Sequence, residues 1–408
     1  MMRSNFVKQP CATGRRSAGV VVLVMLVLAL PACRLPPFNT GLSLDVAGVD
    51  DGREASGGTV DVVFANDAGQ GNAVFLNAED GTGSLVDTGQ ALGSSNSKYV
   101  ALGDLDNDGD SDAVFANANP LASAVYVNDG AGTFSPYNSA FATNDSFAIG
   151  LADTDADGFL DFVFGDNNNT NNYLFLERND QTGGYEDGVE NWQALAGDAT
   201  SVLSLAIADF DNDGTQDMYA GAFNYPDVVY LGSAPAFEAS PYWIGANGTD
   251  TKSVAAGDLD GEGFTDVFVG RQNEENRAYL NDGTGDFSTN SWTSPLADDT
   301  WGVALADLDG DGDLDAFVAN NNDVNRVYLN DGAGNFSLGW ESIVVNLSHG
   351  VALGDLDGDG DVDAVVANDS FGQFNVAYLN NGDATFTAQQ IPGTDVLESD
   401  GVAVGHLD

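Results

Sequence analysis

An acidic nonapeptide, D-x-D-x-D/E-G-x-x-D, occurs six times in this chain of 408 residues. The copies begin 49, 56, 49, 49 and 48 residues apart, at Asp104, Asp153, Asp209, Asp258, Asp307 and Asp355. A period of about 50 residues indicates an architecture in which similar units stack against one another. The period therefore favours one repeat domain over the two or three unrelated domains that the length alone allows.

Each copy carries the ligands of a calcium loop. Four carboxylates at alternate positions repel one another unless a hard cation lies among them. Calcium takes oxygen ligands, here side chains at positions 1, 3, 5 and 9 and the main-chain carbonyl at position 7. We therefore expect about six calcium ions as cofactors. The predicted ligands are Asp104, Asp106, Asp108, Asp110, Asp112, Asp153, Asp155, Asp157, Phe159, Asp161, Asp209, Asp211, Asp213, Thr215, Asp217, Asp258, Asp260, Glu262, Phe264, Asp266, Asp307, Asp309, Asp311, Asp313, Asp315, Asp355, Asp357, Asp359, Asp361 and Asp363.

Two other interpretations of the acidic loops fit less well. An EF-hand needs Glu at position 12 and flanking helices, whereas position 12 here is hydrophobic in every copy and strand-like segments flank the loop. Metal-free acidic turns would not require four carboxylates in a fixed register.

The sequence around each acidic loop has the pattern of short strands. In the best-formed unit, Gly350–Gly354 precedes the loop and Asp363–Asn368 follows it. Val376–Asn380 then leads to a tight turn and a last strand, which gives four strands of four to seven residues each. The second strand is apolar on both faces, as in Asp315–Ala319, so both faces are expected to be covered. Four-stranded sheets stacked face to face around an axis form an all-β fold, the β-propeller.

The number of second strands predicts seven blades. They begin at Asp61, Asp112, Asp161, Asp217, Asp266, Asp315 and Asp363. Only six complete first strands accompany them, and a seventh is expected from the C-terminal segment, Gly401–Asp408, which would close the ring and leave no exposed edge. Alternatively, the chain stops within a repeat, or Leu44–Gly48 supplies that strand. The split blade keeps only His406, Asp408 and Asp61 in register, so we expect no calcium there.

Residues 1–32 have the features of a signal peptide. Arg15 and Arg16 precede the apolar run Val20–Leu30, which is too short to span a bilayer. Leu30-Pro31-Ala32-Cys33 resembles the bacterial lipobox, which predicts lipidation of Cys33; simple cleavage near Ala32 is the alternative. By resemblance to Gram-negative lipoproteins, Arg34 favours the outer membrane or cell surface as the destination. We interpret 33–58 as a tether and 59–408 as the propeller.

The net charge limits the partners of this chain. It is −51, from 63 acidic and 12 basic residues. Such a surface disfavours nucleic acid and anionic lipid headgroups. We therefore expect membrane contact only through the lipid anchor, and we expect a monomer.

The units resemble the FG-GAP/VCBS repeats of integrin α-subunit propellers and of bacterial surface proteins. The matching residues are Val351–Asn368 and its five counterparts, with Phe147-Ala148 or Trp301-Gly302 where the family often has Phe-Gly. The resemblance covers about 350 residues and implies calcium at the turn between strands one and two, on the lower rim. Glu262 departs from the family pattern, where Asp is usual, and should loosen the fourth site.

A second candidate site is expected on the face opposite the calcium loops. The residues six positions before each loop should surround the inner mouth of the channel: Lys98, Phe147, Leu203, Lys252, Trp301 and His349, with Asp400 in the split blade. Lys98, Lys252, Trp301 and His349 form a hypothetical patch for polar or anionic ligands, and a filled channel lining is the alternative. Asn-rich loops, including Asn167–Asn169 and Asn320–Asn322, should lie on the same face. Trp192, Trp243, Trp292 and Trp340 are expected to pack between blades rather than to hold sugar.

The predicted function is a calcium-binding surface module for adhesion to an unknown protein or glycan. A glycan-binding lectin is an alternative. A calcium-dependent polysaccharide lyase that uses Lys98, Lys252 or His349 is another. We predict no catalytic residues and no enzyme, because the sequence has no nucleophile elbow, zinc-ligand spacing or phosphate loop.

Overall fold

The structure is a computed structural model. It describes residues 59–93, 96–118, 122–137, 145–166, 174–179, 192–193, 201–234, 236–245, 249–288 and 290–408. These residues belong to one unit, 41–408. The predicted signal peptide, Cys33, the tether and the alternative strand Leu44–Gly48 lie outside the described residues.

Each acidic loop joins two antiparallel strands, and its last Asp begins the second strand, as the sequence predicts. The first strands are β4 (Asn96–Gly103), β8 (Ser146–Ala152), β12 (Val202–Ala208), β18 (Thr249–Gly257), β20 (Asn290–Ala306), β24 (Asn346–Gly354) and β28 (Ser399–Gly405). The second strands are β1 (Asp61–Asn66), β5 (Asp112–Ala118), β9 (Asp161–Asp166), β13 (Asp217–Tyr225), β19 (Asp266–Tyr279), β21 (Asp315–Asp323) and β25 (Asp363–Asn368).

The outer strands complete these sheets. The third strands are β2 (Asn72–Asn77), β6 (Ala124–Asn128), β10 (Leu174–Glu177), β14 (Val228–Tyr230), β22 (Arg326–Asn330) and β26 (Val376–Asn380). The fourth are β3 (Leu85–Leu92), β7 (Phe134–Pro136), β11 (Trp192–Gln193), β17 (Trp243–Ile244), β23 (Phe336–Glu341) and β27 (Phe386–Gln390). A small hairpin, β15 (Gly232–Ser233) and β16 (Ala236–Phe237), and one 3₁₀ turn, Thr394–Val396, lie between them.

Two strands are much longer than the four to seven residues predicted. β19 has 14 residues and β20 has 17, because each continues from one sheet position into the next. Gln272 in β19 pairs with Asp299 in β20, where the sequence predicts a loop. Similar pairs, Phe223 with Asp250 and Asn321 with Leu347, join neighbouring units. Backbone hydrogen bonds across units thus extend these polar segments as strands.

The C-terminal strand pairs with the first described strand. β28 runs antiparallel to β1, with Val404 opposite Val62 and Val402 opposite Phe64. This sheet has the order β28-β1-β2-β3. The backbone N–H of Leu407 also donates to Asp61 Oδ2 at 2.9 Å, so residues more than 300 positions apart form one sheet.

Both faces of the second strands are covered, as their apolar sequence predicts. In β1, Val63 packs with Val100 and Phe115 of the following unit. Its neighbour Val62 points to the other side and packs with Val365. β25 repeats the arrangement, since Val365 and its neighbours face different hydrophobic clusters. The sheets are therefore stacked face to face, with a hydrophobic layer on each side.

Three of the predicted tryptophans pack between consecutive sheets. The ring centroid of Trp243 lies 6.0 Å from that of Phe287 in the next unit. Trp292 lies 5.2 Å from Tyr328, and Trp340 lies 5.5 Å from Tyr378. The interpretation of these residues as inter-sheet packing is confirmed, while the side chain of Trp192 lies outside the described residues.

Candidate functional site

The acidic loops take their shape from left-handed backbone at two positions. Position 6 is glycine in every loop, with φ between 90° and 103°. Position 4 is also left-handed, with φ between 57° and 79°, and it is Asn or Gly in five loops. The second loop has Ala156 there, which carries a steric cost of about 1 kcal/mol. Position 4 was not predicted as a structural position, although Asn and Gly are the residues that best tolerate this conformation.

The carboxylate at position 1 closes each loop. Asp104 Oδ2 accepts a hydrogen bond from the backbone N–H of Gly109 at 3.1 Å, and Asp209 Oδ2 accepts one from Gly214 at 2.9 Å. The same bond is present in the other four loops. The chain therefore curls around this carboxylate.

The carboxylate at position 9 ties the loop to the third strand. Asp112 is fully buried; its Oδ2 accepts from the Leu105 N–H at 3.0 Å and its Oδ1 from the Asn128 N–H at 2.8 Å. Burial raises the pKa of Asp112 to about 7, and the nearby carboxylates of Asp106 and Asp108 add to the rise, although the two backbone hydrogen bonds oppose it. The ionised form of Asp112 therefore lacks sufficient positive charge around it.

The acidic side chains converge in the first four loops. One oxygen from each of Asp153, Asp155 and Asp161 lies within 4.8 Å of the other two. Positions 1, 3 and 9 meet in the same way in the third and fourth loops, and positions 1, 3 and 5 meet in the first. The structure thus brings together carboxylates that the sequence analysis assigned to common sites.

The donor set of the second loop fits a calcium ion. Asp155 Oδ1 is buried without a hydrogen-bond partner, while Oδ2 lies 3.4 Å from Nη1 of Arg178. A buried carboxylate oxygen without a donor is costly, and calcium would satisfy it. Bound calcium would supply the positive charge that the converging carboxylates need, and it would cross-link the ends of two strands.

Glu262 changes the fourth loop. In the other five loops the backbone N–H of position 7 donates to the carboxylate at position 5, as from Asp110 to Asp108 Oδ1 at 3.1 Å. No such bond joins Phe264 to Glu262, although both residues are described. The longer side chain of Glu262 thus lacks the loop hydrogen bond that Asp makes at this position, and the looser calcium site remains a prediction.

The split unit keeps the structural part of the loop only. Asp61 occupies position 9 and accepts from the Asn77 N–H at 2.7 Å and the Leu407 N–H at 2.9 Å. These two bonds match those of Asp112, and His406 and Asp408 correspond to positions 1 and 3 of the acidic loops. The aspartate at position 9 therefore makes the same backbone contacts in this unit as in the six acidic loops.

The residues predicted at the inner mouth meet in one cavity. All seven, namely Lys98, Phe147, Leu203, Lys252, Trp301, His349 and Asp400, line a volume of about 300 Å³. Because they lie six residues before the loops, the cavity is about 20 Å from the acidic side chains along each strand. The central cavity and the acidic loops therefore lie at opposite ends of the first strands.

Lys98 and His349 are held by carboxylates in this cavity. Lys98 Nζ lies 2.5 Å from Asp400 Oδ2 and also contacts Asp67. His349 Nδ1 lies 2.6 Å from Asp400 Oδ1. Although burial opposes the change, the pKa of Asp400 is lowered, because His349 and Lys98 stabilise its ionised form. Asp67 and Asp369, which also lies near His349, were not predicted as site residues; both directly follow an Asn that ends a second strand.

Trp301 is enclosed by its neighbours rather than presented to solvent. Its ring is stacked on His349 with centroids 4.0 Å apart, and Lys252 Nζ lies 4.2 Å from its centroid. Two groups so close cannot share one face of the indole, so neither face is open for a ligand. The Nε1–H of Trp301 donates to Asp299 Oδ1 at 2.9 Å.

Asn320 and Asn276 are buried after the apolar part of their second strands, whereas Asn322 of the predicted Asn320–Asn322 loop is exposed. Asn320 Oδ1 accepts from the Thr300 hydroxyl at 2.8 Å, and its Nδ2 donates to the Val324 carbonyl at 2.8 Å. Asn276 Oδ1 accepts from the Arg271 N–H at 2.9 Å. These side chains satisfy backbone groups inside the sheets; Asn167–Asn169 lie outside the described residues.

Several solved structures resemble this chain in fold. A functionally unknown protein from Desulfotomaculum acetoxidans is 11% identical with a TM-score of 0.61, covering 85% of this chain and 99% of its own. The periplasmic gluconolactonase PpgL of Pseudomonas aeruginosa is 13% identical, with a TM-score of 0.60 and coverages of 86% and 99%. The BP39L lectin of Burkholderia pseudomallei is 16% identical, with a TM-score of 0.56 and coverages of 82% and 98%. At such low identity these likenesses establish a propeller-like all-β fold only.

Within the described part of the chain, no helix has the length and apolar character needed to cross a membrane.

The family of the chain is shown by its sequence repeats. No sequence match was found among curated proteins. The model of the FG-GAP-like repeat matches six overlapping segments, 58–115, 104–164, 153–220, 209–269, 258–318 and 307–366. Since these matches extend over well more than half of the chain, the protein belongs to the family of FG-GAP-like repeat β-propellers.

Proposed function

We propose that this protein is a calcium-stabilised, seven-bladed propeller that acts as a binding or adhesion module at a bacterial cell surface. Calcium has a structural role in the proposal, and lipid on Cys33 carries the module to the outer membrane or cell surface. The observation that carries the proposal is the convergence of carboxylates in the acidic loops.

A closed ring of seven blades is supported by the hydrophobic layers between sheets. Each pair of consecutive units shares one such layer. A further layer joins the first and last units, where Val62 and Phe64 pack with Ala352 and Val365. Together with the pairing of β28 and β1, this layer favours a ring without free edges.

Calcium would contribute a large share of the stability. Extracellular calcium modules bind the ion at about 10⁻⁴–10⁻³ M. At roughly 1 mM calcium, each site then adds about 0.4–1.4 kcal/mol by mass action. Six sites would contribute roughly 2–8 kcal/mol, which is comparable with the stability of a whole domain.

Calorimetric titration and thermal melting test the metal part of the proposal. Chelator-treated protein should take up about six calcium ions and melt at a higher temperature with calcium than with chelator. Magnesium at the same concentration is the control, because it prefers a smaller and more rigid octahedral site. Absence of calcium uptake, or identical melts with calcium and with chelator, would refute the structural role.

The binding function has a lectin as its second candidate. The central cavity lies on the face opposite the acidic loops, where a partner would not compete with calcium. An array of glycans probed with and without calcium separates a lectin from a protein-binding module.

A lyase is less well supported, because a base must be free to reach substrate. Lys98 and His349 are both bound to Asp400, which leaves Lys252 as the candidate base; release of unsaturated products from uronate polymers would favour the lyase.

A further inference from the structure

The central cavity contains two lysines in different states. The ammonium group of Lys98 lies between two carboxylates, those of Asp67 and Asp400. Lys252 lines the same cavity, yet its Nζ makes no hydrogen bond or ion pair with any described residue. One charge is thus matched within the protein, and the other retains three unused hydrogen-bond donors.

Two aromatic rings surround the Lys252 ammonium group. Its Nζ lies 4.3 Å from the ring centroid of Phe223 and 4.2 Å from that of Trp301. Cation–π attraction orients the group but does not replace the hydrogen bonds of water. Burial lowers the pKa of Lys252, and the attraction of Asp299, Asp250 and Asp400 only partly offsets this effect. The partly buried ammonium group of Lys252 therefore lacks a hydrogen-bond acceptor among the described residues.

The rest of the cavity offers apolar surface more than polar groups. Phe147, Leu203 and Val303 line it. The two serines in the lining already serve the backbone, since Ser204 Oγ accepts from Val254 N–H at 3.0 Å and Ser253 Oγ accepts from Val303 N–H at 3.1 Å. A volume of about 300 Å³ is at the lower end for small-molecule sites.

We propose that Lys252 binds the carboxylate of a small monocarboxylic acid whose apolar body lies against Phe147 and Leu203. The inference deepens the proposed binding function by naming a ligand class, and it rests on that function. A second carboxylate on the ligand would be repelled by Asp369 and Asp400, which also line the cavity, so dicarboxylates are disfavoured. A sugar acid is disfavoured as well, because few free polar groups remain for its hydroxyls.

Phenylacetate and its neutral isostere phenylacetamide are suitable probes. Isothermal titration of the calcium-loaded protein, and the fluorescence of Trp301 beside Lys252, report binding. Phenylacetate should bind about tenfold or more tightly than phenylacetamide, since a charge-assisted hydrogen bond to Lys252 is available to the acid alone. Glucuronate and succinate test the sugar-acid and dicarboxylate alternatives, and both should bind more weakly than phenylacetate.

The variant Lys252→Met isolates the ammonium group. It should weaken phenylacetate binding by about tenfold or more and leave phenylacetamide binding unchanged. Its melting temperature should equal or exceed that of the parent, because Met suits a site between two rings and no ion pair is lost. Arg277→Met is the matched control, since it removes the same charge at a residue outside the cavity lining and should bind phenylacetate as the parent does.

Several results would overturn the inference. They are equal binding of phenylacetate and phenylacetamide, unchanged phenylacetate binding by Lys252→Met, tighter binding of glucuronate or succinate, or no binding of any probe. Calcium uptake measured on the same sample distinguishes failure of the ligand assignment from failure of the proposed function. A protein that takes up calcium but no carboxylate refutes the ligand assignment alone, whereas a protein that takes up no calcium refutes the calcium-stabilised propeller.

Discussion

The aspartate at position 9 has two proposed roles, namely to accept backbone hydrogen bonds and to coordinate calcium. Asp61 and Asp363 form a pair that separates these roles. Both are buried, and both accept two backbone hydrogen bonds. For Asp363 the donors are Asn380 at 2.7 Å and Leu356 at 2.8 Å, and for Asp61 the distances are 2.7 and 2.9 Å. Asp363 follows acidic residues at positions 1, 3 and 5 of its own loop, namely Asp355, Asp357 and Asp359. Substitution of each by Asn therefore changes the same backbone contacts, but only the substitution of Asp363 is expected to remove a calcium ligand.

The two variants should differ only when calcium is present. In chelator, Asp61→Asn and Asp363→Asn each leave one backbone N–H facing the side-chain NH₂ group, which cannot accept a hydrogen bond, at a cost of about 1–3 kcal/mol. Both also lose a carboxylate that burial penalises, since burial raises the pKa of Asp61 to about 6 and that of Asp363 to about 7. In roughly 1 mM calcium, Asp363→Asn should lose up to a further 0.4–1.4 kcal/mol, about the contribution of one site.

Urea denaturation with calcium and with chelator measures this difference directly. The stabilisation by calcium should be smaller for Asp363→Asn than for the parent, and unchanged for Asp61→Asn. Titration should give the parent number of calcium ions for Asp61→Asn and a weakened or absent site for Asp363→Asn. If both variants lost calcium stabilisation equally, or if neither lost any, the assignment of Asp363 as a ligand would be refuted.

Two other substitutions test single features of the sheets and loops. Glu262→Asp should restore the backbone hydrogen bond from Phe264 and tighten the fourth calcium site, and unchanged affinities in calorimetric titration would contradict this. Burial raises the pKa of Asp227 to about 6, so the folded protein retains a proton that the unfolded chain releases near 3.8, and stability falls as pH rises through this window. Asp227→Asn should remove that loss, so its advantage over the parent should grow by up to about 3 kcal/mol between pH 4 and pH 7 in chelator. A pH-independent difference in urea denaturation would be inconsistent with a buried charge at Asp227.

Local chemistry made the start of each second strand predictable. The aspartate at position 9 ends the acidic loop, and the apolar residues after it, such as Ala316 and Phe317, must be covered on both faces. The register Gly354–Asp363 and its counterparts follow from these local signals. The paired extensions of β19 and β20 could not be predicted, because the partner of Gln272 belongs to another unit and polar sequence alone is typical of a loop.

In the candidate cavity, the lining residues could be predicted from the sequence, whereas the partners of the lysines could not. Counting six residues back from each loop identified its lining, because every first strand has the same length between cavity and loop. The states of its lysines depend on contacts that no local pattern contains, since Lys98 pairs with Asp400, 302 residues away. No described residue forms an ion pair with Lys252, although both lysines occupy equivalent positions in their strands.

Each sheet carries polar networks at both ends, and their chemistry differs. At the acidic end, carboxylates converge, and bound calcium would balance their charge. At the cavity end, neutral amides such as Asn276 and Asn325 satisfy backbone N–H groups without a cation. Asp227 occupies the same place in its unit, as shown by its bond from the Ala222 N–H at 2.9 Å, and it is charged where the others are neutral. The two ends of the first strands therefore carry different groups, and a ligand in the cavity would contact other residues than those of the acidic loops.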